Sequence, residues 1–227
     1  MVYREHKDFQ KVERCEALSI SLYKDIVMRE EIQHLIARLE KHHSESALHS
    51  MRVGKRCHQI GVYNNYSEQD CATLALAGLF HDLGKLGIPL CVLDKESEPT
   101  PEEYKIINQH PRLAFLELKE AKYEDVRRVL VLHHECKEDV RKNYPRSGGE
   151  RRDAVRFTPE RRIHDEKIDR FGQLLAAVDI CDALANKRSY KDALTLAQTE
   201  EVLRREFAGD QRFVDQAILF ESFYRML

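Results

Sequence analysis

From Glu68 to Phe80 the chain carries apolar side chains on nearly every side of a helix: Ala72, Leu74, Ala75, Leu76, Ala77, Leu79 and Phe80. A helix with no polar face cannot lie on a surface, so this one must run through the middle of a core. The flanking sequence supplies helices to surround it. Between positions 9 and 39, Val12, Leu18, Ile20, Leu22, Ile26, Val27, Ile32, Leu35, Ile36 and Leu39 recur at intervals near three and four, which predicts one or two helices. Further helices are expected at about 45–62, after Pro101, after His110-Pro111, and at about 124–135, 168–185, 194–207 and 213–224. The central helix should end at Gly84 and Gly87, with Pro89 beyond as a stop. No strand alternation and no internal repeat is present, so the fold class is all-α. We divide the chain into an N-terminal helical extension, 1–44, and one helical domain, 45–227. Residues 137–162 hold Pro145, Gly148, Gly149 and Pro159 amid mixed charge, and read as a long surface loop.

Composition narrows the functional classes. The 227 residues carry 37 basic and 39 acidic side chains, a net charge of −2, so no positive excess exists to grip a nucleic-acid polymer. Hydrophobic residues are 42% of the chain, too many for global disorder. No apolar run approaches the ~18 residues of a membrane span. The six cysteines form no C-x-x-C unit and read as reduced, mostly buried thiols. The N-terminus has no apolar run behind its charges and is not a signal peptide, so the expected location is the cytoplasm. Eleven histidines are the first sign of chemistry.

Several of these histidines and some aspartates sit at the ends of apolar helices. His81-Asp82 closes the central helix, followed by Leu83-Gly84-Lys85. Adjacent helical residues point ~100° apart, so this pair can serve one cation only where the chain bends, or where two cations lie side by side. Neutral nitrogen with charged oxygen suits Fe, Mn or Zn better than Ca or Mg. Asp179 lies in the apolar run Leu174-Leu175-Ala176-Ala177-Val178-Asp179-Ile180-Cys181, where a carboxylate needs a cation or several donors. His133-His134-Glu135 closes another apolar helix, and Pro111 sets His110 at a helix boundary. His49 lies on the early helix with Glu45 one turn before it. His42 and His43 read as a solvated helix start, and the balanced charges of 150–170 as a solvated lid.

In order, His81-Asp82-Leu83-Gly84-Lys85-Leu86-Gly87-Ile88-Pro89, His110-Pro111, His133-His134-Glu135, Tyr144-Pro145 and Val178-Asp179-Ile180-Cys181-Asp182-Ala183-Leu184 resemble the HD-GYP branch of the HD superfamily of metal-dependent phosphohydrolases. The resemblance covers about 45–207. It implies an HD-domain helical bundle and a cytoplasmic phosphodiesterase that cleaves cyclic di-GMP at a site holding two or three iron or manganese ions. It carries over His49, His81, Asp82, His110, His133, His134 and Asp179 as metal ligands, and Glu45 as the carboxylate a third ion would take. Lys85, Arg188 and Lys191 match residues that hold substrate phosphates, and Tyr144 the tyrosine that reaches the substrate. On this reading Asp82 bridges two metals, His49, His81 and Asp179 complete one centre, and His110, His133 and His134 the other. A hydroxide shared by two cations would be the nucleophile, with Asp82 and Lys85 the catalytic residues.

Arg188 follows Asp179 by nine residues, half a turn off its face, so the helix must end near Ala185-Asn186 for Arg188 to reach the same pocket. Asn186 is the expected cap. One segment departs from the family pattern. Between His134 and Tyr144 both expected glycines are missing and two residues are added, and a further insertion rich in Arg and Glu follows Pro145. The loop carrying Tyr144 should therefore take a different path. Two alternatives to cyclic dinucleotide hydrolysis follow: an HD-type nucleotidase or alarmone hydrolase, and a catalytically weak nucleotide-binding module. The N-terminal helices are where a homodimer would form.

Overall fold

Two long helices lead the chain, α1 (Val2–Val27) and α2 (Glu30–His42), followed by α3 (Ser44–Tyr63) and α4 (Glu68–Phe80). The structure, a computed structural model, describes residues 2–136, 165–187 and 192–226. Beyond α4 come the short α5 (Leu90–Leu93) and α6 (Pro101–Ile107), then α7 (His110–Glu117) and α8 (Glu124–Leu132). The C-terminal part holds α9 (Glu166–Ala185), α10 (Leu196–Glu206) and α11 (Gln211–Met226). Tight 3-10 turns occupy Leu83–Gly87, Ala121–Tyr123 and His133–Cys136, and no β-strand occurs among the described residues. The loop expected at 137–162 lies outside the described residues.

The helix without a polar face is indeed central. Leu74, Ala75, Ala77 and Phe80 of α4 are fully buried, and α3, α8 and α9 pack around them. Val12, Ile26, Ile32 and Leu39 bring α1 and α2 into the same core. No described helix is long and apolar enough to cross a membrane. Ser67 starts α4 by accepting a hydrogen bond from the Asp70 N–H, which satisfies one of the donors a helix start leaves open. α3 and α4 cross backbone to backbone. A Cβ on Gly78 would stand 2.7 Å from Gly54 Cα, so only glycine permits the approach.

α4 stops at Phe80, four residues short of Gly84, for a local reason. The His81 Nδ1–H donates to the Gly78 carbonyl at 2.8 Å, the acceptor that the next turn of helix would use. α8 likewise stops at Leu132 rather than 135, where His133 Nδ1 takes the Leu130 carbonyl. Gly84 is a contact point rather than a helix stop. A Cβ there would overlap the His110 carbonyl oxygen and stand 2.6 Å from Ala114 N. Glycine at 84 thus lets the 3-10 turn lie against the start of α7.

The pair expected to be a solvated helix start is structural. His42 ends α2, and its ring Nε2 is 3.0 Å from the Ile88 carbonyl, pinning the 3-10 turn. His43 caps α3, accepting from the Ser46 N–H, and its Nε2 is 3.3 Å from Asp94 Oδ1. Both contacts join segments distant in sequence, which periodicity does not reveal.

Candidate metal centre

The bend after α4 decides what His81 and Asp82 can do. His81 keeps helical dihedrals, while Asp82 has φ −94° and ψ 1°, between the helical and extended regions. The turn brings His81 Nε2 to 3.6 Å from Asp82 Oδ2. α3 delivers His49 to the same place: its Nε2 lies 3.2 Å from His81 Nε2 and 3.9 Å from Asp82 Oδ2. α9 adds Asp179, whose Oδ1 is 3.1 Å from His49 Nε2 and 3.7 Å from His81 Nε2. All four residues are buried.

The second group comes from α7 and the end of α8. The rings of His110 and His134 are 4.6 Å apart by centroid, and those of His133 and His134 are 4.4 Å apart. His110 Nε2 faces the other oxygen of Asp82, Oδ1, at 3.5 Å. One carboxylate therefore stands between two ligand groups, one oxygen toward each. Lys85, one turn beyond, places Nζ 2.7 Å from Asp82 Oδ2.

The imidazoles are oriented by a repeated device. His81, His110 and His133 each direct Nδ1 to the carbonyl three residues earlier, at Gly78, Ile107 and Leu130. A carbonyl only accepts, so Nδ1 carries a proton and Nε2 is the nitrogen turned inward. His49 uses a carboxylate instead: its Nδ1–H donates to Asp182 Oδ2 at 2.7 Å. Arg52, one turn along α3, holds both Asp182 oxygens, through Nε and an Nη at 2.8 Å each.

Two groups of these side chains could each hold a cation. His49 Nε2, His81 Nε2 and Asp179 Oδ1 converge within 3.1–3.7 Å of one another, an arrangement that needs a proton or a cation among them. His110 Nε2 is buried and makes no hydrogen bond. Nitrogen and carboxylate donors in this mixture fit a transition metal.

Charge follows the same plan. Burial opposes ionisation of Asp82, but the Lys85 ammonium, foremost among its neighbours and 2.7 Å from its Oδ2, holds its pKa well below the ordinary value. Burial lowers the His110 pKa to about 4, which keeps that ring neutral and able to coordinate. Burial also opposes a charge on His49, yet the carboxylates of Asp179 and Asp182 beside its ring nitrogens raise its pKa. Asp182 is depressed to about 2 despite burial, by His49 and Arg52.

A cleft of about 260 Å³ opens onto these residues. Glu45, Arg52, Lys85, His134 and Asp179 are among its polar lining residues. Glu45 thus lies at the cleft, outside the two tight ligand groups. α9 ends at Ala185, where the Asn186 side chain donates to the Asp182 carbonyl at 3.0 Å. Arg188, Lys191 and Tyr144 lie outside the described residues. Sequence reasoning gave Asp182 and Arg52 no role. The available signal was a second carboxylate three residues after Asp179, on the same face of a buried helix.

The family model for the HD domain matches residues 26–140. Among curated relatives, the 3'3'-cGAMP-specific phosphodiesterase 2 of Vibrio cholerae is 26% identical over 178 residues, 77% of this chain and 31% of the relative. A cyclic di-GMP phosphodiesterase of Thermotoga maritima is 27% identical over 157 residues, 68% of this chain and 38% of the relative. The cyclic di-GMP phosphodiesterase response regulator RpfG of Xanthomonas campestris is 27% identical over 146 residues, 63% and 33% respectively. The chain thus spans 31–38% of the length of these relatives.

Proposed function

We propose, for a chain that belongs to the HD domain family, metal-dependent phosphodiester hydrolysis with a cyclic dinucleotide as substrate, cyclic di-GMP foremost. The observation that supports this reading is the inward convergence of His49 Nε2, His81 Nε2 and Asp179 Oδ1 beside the two-faced carboxylate of Asp82. The names of the relatives support the substrate class.

His49, His81, Asp82 and Asp179 would hold one ion, and Asp82, His110, His133 and His134 a second, iron or manganese. Glu45 is the carboxylate for a third. Two such ions lend charge to a phosphoryl group and lower the pKa of an attacking water. The protein's own part is placement. Asp182 and Arg52 keep the His49 proton on Nδ1, so that Nε2 stays a ligand. Lys85 Nζ, paired to Asp82, stands ready to neutralise a non-bridging phosphate oxygen. Asn186 ends α9 beside the cleft, and Arg188 and Lys191, cations shortly beyond it in the chain, are assigned to the flanking phosphates. Tyr144 is assigned to the substrate side.

A nucleotidase or alarmone hydrolase is the second reading, favoured by the missing glycines and two added residues ahead of Tyr144. Protein loaded with Mn or Fe decides between them in a screen of cyclic di-GMP, cyclic GMP-AMP, mononucleotides and guanosine tetraphosphate. We expect diester cleavage of the cyclic dinucleotides and at least two metal ions per chain by elemental analysis. Monoester release alone would favour the second reading. No metal uptake on reconstitution would overturn both.

A further inference from the structure

The lining of the cleft is not all polar. Residues 92–108 contribute Val92, Leu93, Pro99, Tyr104 and Ile107 to it, together with Lys95 and the amide of Asn108. Phosphate and metal need no such apolar side chains. Tyr104 lies on α6, a helix none of whose residues is buried, so its ring is not a core element. It is 39% exposed and lines the cleft. Asn108 follows at i+4, its N–H closing the last turn on the Tyr104 carbonyl at 2.9 Å, so ring and amide share one side of the helix.

The platform is well held for so short a helix. Thr100 and Glu103 form a capping box at its start, and Lys95 Nζ reaches Glu103 Oε2 at 2.7 Å. Two residues past Asn108 the chain enters the ligand groups at His110. An aromatic face and an amide thus stand a few residues from a site suited to phosphate chemistry.

We propose that Tyr104 and Asn108 form a nucleobase subsite, the ring stacking on the base and the amide bonding its polar edge. The inference rests on reading the cleft as a nucleotide site and adds where the base goes. Stacking on an aromatic ring tolerates any base, whereas an amide discriminates by donor and acceptor pattern. Tyr104 therefore governs affinity for bases in general, and Asn108 the choice among them.

Calorimetric binding of GMP, AMP and ribose 5-phosphate to the Mn-loaded full chain tests this without requiring turnover. The parent should bind GMP ~10-fold or more tighter than ribose 5-phosphate. Tyr104→Ala and Tyr104→Leu should erase that margin while leaving ribose 5-phosphate binding in place, and Tyr104→Phe should keep it. Asn108→Ala should change the ratio of GMP to AMP affinity. Ile106→Ala, an exposed neighbour outside the cleft lining, should change nothing. Equal binding of GMP and ribose 5-phosphate by the parent, or a full margin in Tyr104→Leu, would overturn the subsite. If the margin behaves as expected but no cyclic dinucleotide is cleaved, the proposed activity fails while the subsite stands.

Discussion

His49 and Asp182 stand 133 residues apart in the chain and 2.7 Å apart in space, the imidazole Nδ1–H donating to the carboxylate. That bond decides which nitrogen of His49 faces the ligand groups. In Asp182→Asn the amide can turn its NH₂ toward the ring and lose the acceptor. Metal affinity should fall ~10–100-fold, as is usual when the partner of a ligating histidine is removed. Competition with a chelator measures it, and circular dichroism checks that the helices persist. Unchanged affinity in a folded variant would remove Asp182 from the positioning of His49.

Lys85→Ala should keep the metals and slow turnover. Its ammonium pairs with Asp82 Oδ2, but its removal leaves every side chain of the two groups in place. Loss of one charged contact to phosphate in a desolvated site typically costs ~2–4 kcal/mol of transition-state stabilisation, roughly two to three decades in kcat. Parent-like turnover with full metal content would show that Lys85 does not meet substrate.

Gly84→Ala should destabilise the fold at the junction of two ligand segments. The added methyl overlaps the His110 carbonyl, and backbone cannot rotate away as a side chain can. Overpacking of this kind costs ~1–3 kcal/mol, or roughly 3–10 °C in Tm for a chain of this size. Thermal denaturation of metal-free protein reads it directly. An unaltered Tm would mean that the turn can withdraw from α7 at little cost.

Much of the fold was legible because it depends on local pattern. The apolar run ending at Phe80 announced a central helix, and Pro111 marked the start of α7. Helix ends were less legible, since His81 and His133 stop their helices by taking a carbonyl, and no breaker residue marks either place. The candidate site was legible in its ligand types and hidden in its supports. Asp182, Arg52 and Gly84 act through contacts between distant segments, which neither spacing nor composition displays. Gly84 looked like a helix stop because glycine often is one. Its use here is close approach.

Acid should weaken the fold through His58. The ring is buried between α3 and α1, with Nδ1 hydrogen-bonded to Ser19 Oγ at 2.7 Å, and burial lowers its pKa to about 4 from an ordinary 6.5. The unfolded chain takes up a proton as pH falls through 6.5, whereas the folded chain resists until about 4. Stability from this group is therefore complete above pH 6.5 and lost progressively down to about 4. Between pH 7 and 4.5 the parent's Tm should fall by a few degrees more than that of His58→Gln. Parallel curves for the two proteins would contradict the assignment.

The crossing of α3 and α4 at Gly54 and Gly78 bears on how the site can change over generations. His49 precedes one glycine by five residues and His81 follows the other by three. The gap between those two histidines is thus gauged by main chain against main chain. Core side chains away from the crossing can drift in size without resetting it, whereas any side chain at either glycine would pry the pair apart. The chain has placed its tolerance for mutation in the packing and its intolerance in two positions that carry no side chain at all.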